Sequence, residues 1–155
     1  MQGLDAFRKK FNLSELTIFE SNHWVWSVRP QQVTLGCGVV SLKRSAVKLS
    51  ELTREEHADL DLIVKVIENT LQDLFSYDVM NYLMLMMVDK HVHFHVIPRY
   101  QAECRFFGRI WVDKGWPNLP DLSHINSDVD TRLIRDYIKS RVIYVNGGDV
   151  PTEEK

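Results

Sequence analysis

A chain of 155 residues with 45% apolar and 26% charged side chains has the make-up of one globular domain with a sizeable core. Its formal net charge of −2 argues against a large nucleic-acid footprint, which needs a basic stripe, yet leaves room for small phosphorylated ligands held by a few local cations. Two cysteines, Cys37 and Cys104, are too few for a disulfide framework and lack zinc-ligand spacing, and no run reaches the roughly 20 apolar residues of a membrane span, so a cytoplasmic location is expected.

The opening residues, Met1-Gln2-Gly3-Leu4-Asp5, have none of the apolar core of a signal peptide. Leu4, Phe7 and Phe11 then fall at helical spacing among basic residues, which predicts a short helix packed on the body or on a partner subunit. Leu16 to Glu20 reads as a strand, Ser21-Asn22 as a turn, and His23 to Val28 as a second strand with Trp24, Trp26 and Val28 on one face. Gly36 to Arg44 is a third strand whose glycines permit close approach of a backbone or a ligand.

Thr53-Arg54-Glu55-Glu56 has the capping-box pattern, and Leu60, Ile63, Ile67, Leu71 and Leu74 recur behind it at three and four residues. A helix from Thr53 to Phe75 is predicted, its apolar stripe covering one face of a sheet. Asp78 to Val88 reads as a long strand joined by Asp89-Lys90 to the next, which would set Met86 opposite His93 and Met84 opposite His95. Trp111 to Pro120 reads as an aromatic loop, Ser127 as the cap of a second helix carrying Val129, Leu133, Ile134, Tyr137 and Ile138, and residues 146–155 as a disordered tail. The expected layout is one domain over 1–145, with a core of 16–100 and a C-terminal segment of 101–145.

Chemistry concentrates in His91-Val92-His93-Phe94-His95-Val96-Ile97-Pro98-Arg99. Successive side chains of a strand point to opposite faces, so His91, His93 and His95 share one face while Val92, Phe94 and Val96 anchor the other. The residues themselves leave several readings open: polar filler, a His-x-His metal site, a phosphate-binding module without turnover, and nucleophilic catalysis at phosphorus. The last has the strongest physical basis. Free imidazole has a pKa near 6.5, and neighbouring imidazoles disfavour one another's protonation, which keeps a central ring neutral and nucleophilic. Attack on phosphorus divides one hard displacement into two easier ones, with a flanking histidine handling the leaving-group proton. No metal or cofactor is required.

The run from His91 to Ile97 resembles the His-φ-His-φ-His-φ-φ signature of the histidine-triad (HIT) family, φ being apolar, and Pro98-Arg99 resembles the branch of fragile-histidine-triad and diadenosine-polyphosphate hydrolases. The resemblance spans Leu16 to Tyr100. It implies an α+β, HIT-like homodimer in which each subunit forms a five-stranded antiparallel sheet with a long helix packed on it and a C-terminal helix. It implies a purine-nucleotide substrate cleaved at the α-phosphorus through a covalent nucleotidyl-histidine, with neither nucleic acid nor membrane as a partner. By motif position His93 is the nucleophile, His95 contacts phosphate and leaving group, and His91 orders the site. Arg99, Asn81, Gly36 and Arg29 are the expected substrate contacts. Three departures stand out: Gly36-Cys37 where Gly-His is common, Met86 to Lys90 where a Gly-Gln-Ser/Thr loop is usual, and Arg29 where an acid or amide often binds the ribose.

Overall fold

In the computed structural model, residues 2–124, 126 and 129–145 are described; the predicted Ser127 cap and the 146–155 tail lie outside them. Helices α1 (Gln2–Lys10) and α2 (Leu13–Leu16) precede strands β1 (Thr17–Glu20), β2 (Trp24–Val28) and β3 (Gly38–Leu42). Helix α3 (Arg54–Phe75) follows, then β4 (Val79–Leu83), β5 (His93–Arg99), a hairpin of β6 (Cys104–Phe106) and β7 (Arg109–Trp111), and α4 (Thr131–Lys139). The main sheet has five strands, all antiparallel, in the order β1-β2-β3-β5-β4. This is the α+β architecture with a five-stranded antiparallel sheet that the family resemblance implies.

Helix α3 begins where its capping box says it should. Thr53 Oγ1 accepts from the Glu56 amide at 3.1 Å, and Glu56 Oε1 accepts from the Thr53 amide at 2.8 Å. Arg44 donates to both oxygens of Glu56 at 2.8 Å, which pulls that carboxyl down to about 2 and ties the end of β3 to the helix start. Ile63, Val66, Ile67 and Leu71 then bury against Trp24, Trp26, Val28, Val40 and Val96 on one face of the sheet. Within β3, Gly38 has no room for a side chain, because a Cβ there would meet the Ser27 carbonyl of β2 at 2.8 Å.

The opposite face is covered by α1. Phe7 and Phe11 pack with Leu13, Val25 and Val39 in a second apolar cluster. The apolar stripe of Leu4, Phe7 and Phe11 therefore goes to the body of the protein, one of the two placements that its periodicity leaves open.

Four expectations change. Strand β4 stops at Leu83, opposite His95, so the register is Leu83↔His95 and Tyr82↔Val96 rather than methionines against histidines. Residues 84–92 form a loop, because Asp89-Lys90 lacks the backbone preference of a two-residue hairpin turn and Val92 bonds instead to Ala46 and Leu42. The segment read as an aromatic loop starts in a hairpin, with β6 and β7 joined by Phe107-Gly108, both at positive φ. Helix α4 is capped by Asp130, whose side chain accepts from the Arg132 amide, and it buries Ile134 and Ile138 while leaving Leu133 exposed. No helix among the described residues is long and apolar enough to cross a membrane.

Candidate active site

Strand β5 turns His93 and His95 toward α1, opposite Ser41 and Val39 of β3. His91 sits just before the strand, where Leu42 and Ala46 hold Val92 through backbone bonds. All three rings are buried, His93 completely. Phe7 lies 5.1 Å from the His91 ring and 4.9 Å from that of His93, and Phe11 lies 5.9 Å and 6.0 Å from His93 and His95 (centroid to centroid).

The hydrogen bonds fix the tautomer of each ring, Nδ1–H in His93 and Nε2–H in His91 and His95. A carbonyl oxygen only accepts, so the ring nitrogen facing one must carry the proton. His93 Nδ1 donates to the His91 carbonyl, which leaves Nε2 with a bare lone pair. That Nε2 is buried and has no hydrogen-bond partner among the described residues. His91 Nε2 donates to the Leu42 carbonyl at 2.7 Å, locking the ring against β3. His95 is the reverse of His93: its Nδ1 accepts from Arg29 Nε at 3.2 Å, so its proton is on Nε2. The His93 and His95 rings stand edge to face, 5.0 Å apart.

Electrostatics keeps these rings neutral. Burial pushes His91 and His93 below the usual imidazole range. Burial, together with the Arg29 cation, pushes His95 down to about 4. All three are therefore free bases at neutral pH. Two predictions follow with the same sign. Any reaction that needs the His93 lone pair should hold its rate down through pH 6.5 and lose it only as the depressed pKa is crossed. Below pH 6.5 the unfolded chain takes up protons that the folded rings refuse, so stability should also fall as pH drops toward 4. A pH–rate profile read beside melting curves at pH 7.5 and pH 5 checks both. An acid limb centred at or above 6.5 would contradict the buried neutral triad.

Two cavities flank the contact between α1 and the 84–92 loop, sharing Lys10, Val88 and Asp89 in their walls. One, of about 310 Å³, lies against His91 between α1 and the 84–92 loop. The other, of about 600 Å³, has His95, Arg29, Phe11 and Lys10 on one side and Leu85 and Met87 on the other. Both volumes fall in the range of small-molecule sites. Lys10 ties α1 to the loop through Asp89 at 2.7 Å. Met87 and Val88 stand out from that loop, each 83% exposed.

Of the expected substrate contacts, only Arg29 reaches the triad. Arg99 is buried in a bidentate pair with Asp113, at 2.7 and 3.2 Å, and it also donates from Nη1 to Asn81 Oδ1 and from Nη2 to the Asn118 carbonyl. Arg99 and Asn81 thus serve the far end of β5, six residues or about 20 Å from His93. Gly36, at φ +87°, faces Phe75 of α3, where a Cβ would come within 3.2 Å of the ring; its role is to let α3 approach. Cys37 has its sulfur against Thr34 and packs with Val33 and Ile97, so it is no neighbour of His91. The Leu42 carbonyl holds that ring instead. Phe7, Phe11 and Ser41 belong to the site and were not foreseen. Phe7 and Phe11 signalled only a packed helix, and Ser41 only a polar residue in an otherwise apolar strand. Among the described residues no group of three or more His, Cys, Asp or Glu side chains could hold a metal ion.

Residues 12–102 match the HIT domain family. No curated protein sequence matches the chain. Among solved structures, a histidine triad protein from Sinorhizobium meliloti is similar with a TM-score of 0.64 and 16% identity, over 84% of this chain and 93% of that one. The diadenosine triphosphate hydrolase of Plasmodium falciparum, solved with cyclomarin A, is similar with a TM-score of 0.57 and 16% identity, over 81% and 75%. The NitFhit protein of C. elegans gives a TM-score of 0.59 at 20% identity over 81% of this chain, which spans only 27% of that longer protein. At these identities the structures speak to the fold. The family match, a triad on one face of a five-stranded antiparallel sheet and a long helix on the other agree: the chain belongs to the HIT domain family, a superfamily of nucleotide hydrolases and transferases.

Proposed function

We propose that the chain is a nucleotide hydrolase or nucleotidyl transferase in which His93 Nε2 attacks the α-phosphorus of a dinucleoside polyphosphate or nucleoside phosphoramidate. The observation that carries this reading is the His93 tautomer: Nδ1 is committed to a backbone carbonyl, and Nε2 is an unpartnered lone pair. An imidazole held in that form is a nucleophile at neutral pH without an added base. On attack the Nε2–P bond forms, the bond from phosphorus to the leaving group breaks, and the leaving group departs with the electron pair, as an anion from an anhydride or with a proton added to its nitrogen from a phosphoramidate. The nucleotidyl ring is then cationic, and the Nδ1–H bond to the His91 carbonyl stabilises it. Water attacks the same phosphorus in the second step, the P–N bond breaks, and nucleoside monophosphate is released with one proton lost to solution. The apolar cover of Phe7 and Phe11 keeps water from the intermediate until the first product leaves. The purine preference and the homodimer follow from the family resemblance.

This reading requires α1 to move, because Phe7 and Phe11 lie over the nucleophile. The Lys10–Asp89 pair, with Lys10 half exposed, is a weak fastening worth about 0.2–1 kcal/mol. Asp89→Asn should therefore raise kcat/KM by about two- to fivefold at low salt, with the gain vanishing at high salt. A decrease would show that Asp89 works on the substrate rather than on α1.

The test of the function is chromatographic detection of nucleoside monophosphate from a panel of dinucleoside polyphosphates, adenosine phosphoramidate, an adenylylated sugar and their guanine counterparts. Release by wild type and none by His93→Ala supports the reading. Nucleotide binding without release by either protein supports a nucleotide-binding partner protein instead, with the 84–92 loop as the altered part. Stoichiometric metal in the purified protein, with activity lost to chelator, would favour the metal-site reading.

A further inference from the structure

Arg29 is a cation without a counter-ion. It lies at the wall of the larger cavity, half-buried, and no Asp or Glu among the described residues pairs with it. Its Nε donates to His95 Nδ1 and its Nη1 to the Gln31 carbonyl at 2.7 Å, while Nη2 has no protein acceptor among the described residues. A guanidinium has five N–H donors in a planar fork, so donors remain for an anion. Lys10 lines the same cavity, but its charge is already met by Asp89.

The bond to His95 also decides what that histidine can do. Protonating His95 at Nδ1 would remove the acceptor that Arg29 occupies and press two cations together. His95 therefore offers an Nε2–H hydrogen bond but has no proton to give away. A departing phosphate needs none, because it is stable as an anion. A departing amine needs one, because an amide anion is far too basic to leave.

Resting on the reading that His93 attacks an α-phosphorus, we propose that Arg29 makes the site selective for phosphate leaving groups, so that the substrates are phosphoanhydrides rather than phosphoramidates. In the step itself the bond from the α-phosphorus to the bridging oxygen breaks, and the oxygen keeps the pair. The departing phosphate is taken by the free Arg29 donors, and His95 Nε2–H bonds to a phosphoryl oxygen. The leaving nucleotide extends into the cavity between Phe11 and Met87.

The test compares kcat and KM for diadenosine triphosphate and adenosine phosphoramidate in wild type, Arg29→Gln and Arg29→Lys. Wild type should favour the anhydride by about 100-fold or more. Arg29→Gln should lose most of that preference through the anhydride alone, and Arg29→Lys should recover part of it because the charge returns. Equal loss on both substrates, or a wild type that cleaves the phosphoramidate as fast, overturns the proposal. Calorimetry with ADP and AMP separates this from failure of the underlying reading. If wild type turns over no nucleotide, an ADP preference of about tenfold that disappears in Arg29→Gln still upholds the anion site, and equal affinities refute it.

Discussion

His93→Ala should lower the release of nucleoside monophosphate by about 10⁴-fold or more, the scale on which loss of a covalent nucleophile acts. The size follows from how the site is built. His91 Nε2 is bonded to the Leu42 carbonyl, and His95 Nδ1 is bonded to Arg29, so neither ring can replace the lone pair of His93 at the same point. The alanine also opens a space beneath Phe7, which could weaken α1, so thermal melts and ADP affinity must accompany the rate measurement. His93→Asn, which keeps a polar group there, is the companion variant. The covalent adduct gives an independent reading: wild type mixed with substrate and quenched in base should gain the mass of one nucleotidyl group, and both variants should not. A folded His93→Ala protein within tenfold of wild type would remove His93 as the nucleophile.

Much of this site was legible because strand geometry has a period of two. The spacing of His91, His93 and His95 by itself put three rings on one face and Val92, Phe94 and Val96 on the other. The same logic overreached next door. Leu85, Met87 and Val88 read as a strand because they are apolar, yet they sit in a loop with Met87 and Val88 exposed, a choice set by tertiary bonds from Val92 to Ala46 and Leu42. The tautomers were illegible for a related reason. Which nitrogen of His91 is protonated depends on a carbonyl 49 residues away in sequence, and His95 depends on Arg29, 66 residues away. The stripe of Leu4, Phe7 and Phe11 announced a packed helix but not where it would pack. The β6–β7 hairpin escaped because three-residue strands bearing Arg105 and Arg109 carry almost no periodic signal. Arg99 misled through its neighbourhood: it follows the triad in sequence, but six residues of extended strand carry it away from the reacting atom.

Asp113→Ala should cost about 3–5 kcal/mol of stability, the usual penalty for stranding one charge of a buried pair. Arg99 and Asp113 bury their side chains almost completely, at 5% and 1% exposed. Asp113 also accepts from the amides of Tyr100 at 3.1 Å and Gly115 at 3.2 Å, so it pins the end of β5 to the segment after β7. Without it the guanidinium keeps only Asn81 Oδ1 and the Asn118 carbonyl, neither of which carries charge. Against a typical total of about 5–15 kcal/mol, that loss should lower the melting temperature by roughly 6–20 °C. The pair Arg99→Met with Asp113→Leu should recover much of it, because a buried ion pair replaced as a unit by apolar groups is often neutral. Where these variants remain folded, KM for nucleotide should stay at the wild-type value, since the pair lies about 20 Å along β5 from His93. Melting curves and steady-state kinetics on both variants decide the matter: an unchanged melting temperature with a raised KM would return Arg99 to the substrate and contradict the structural role assigned to it here.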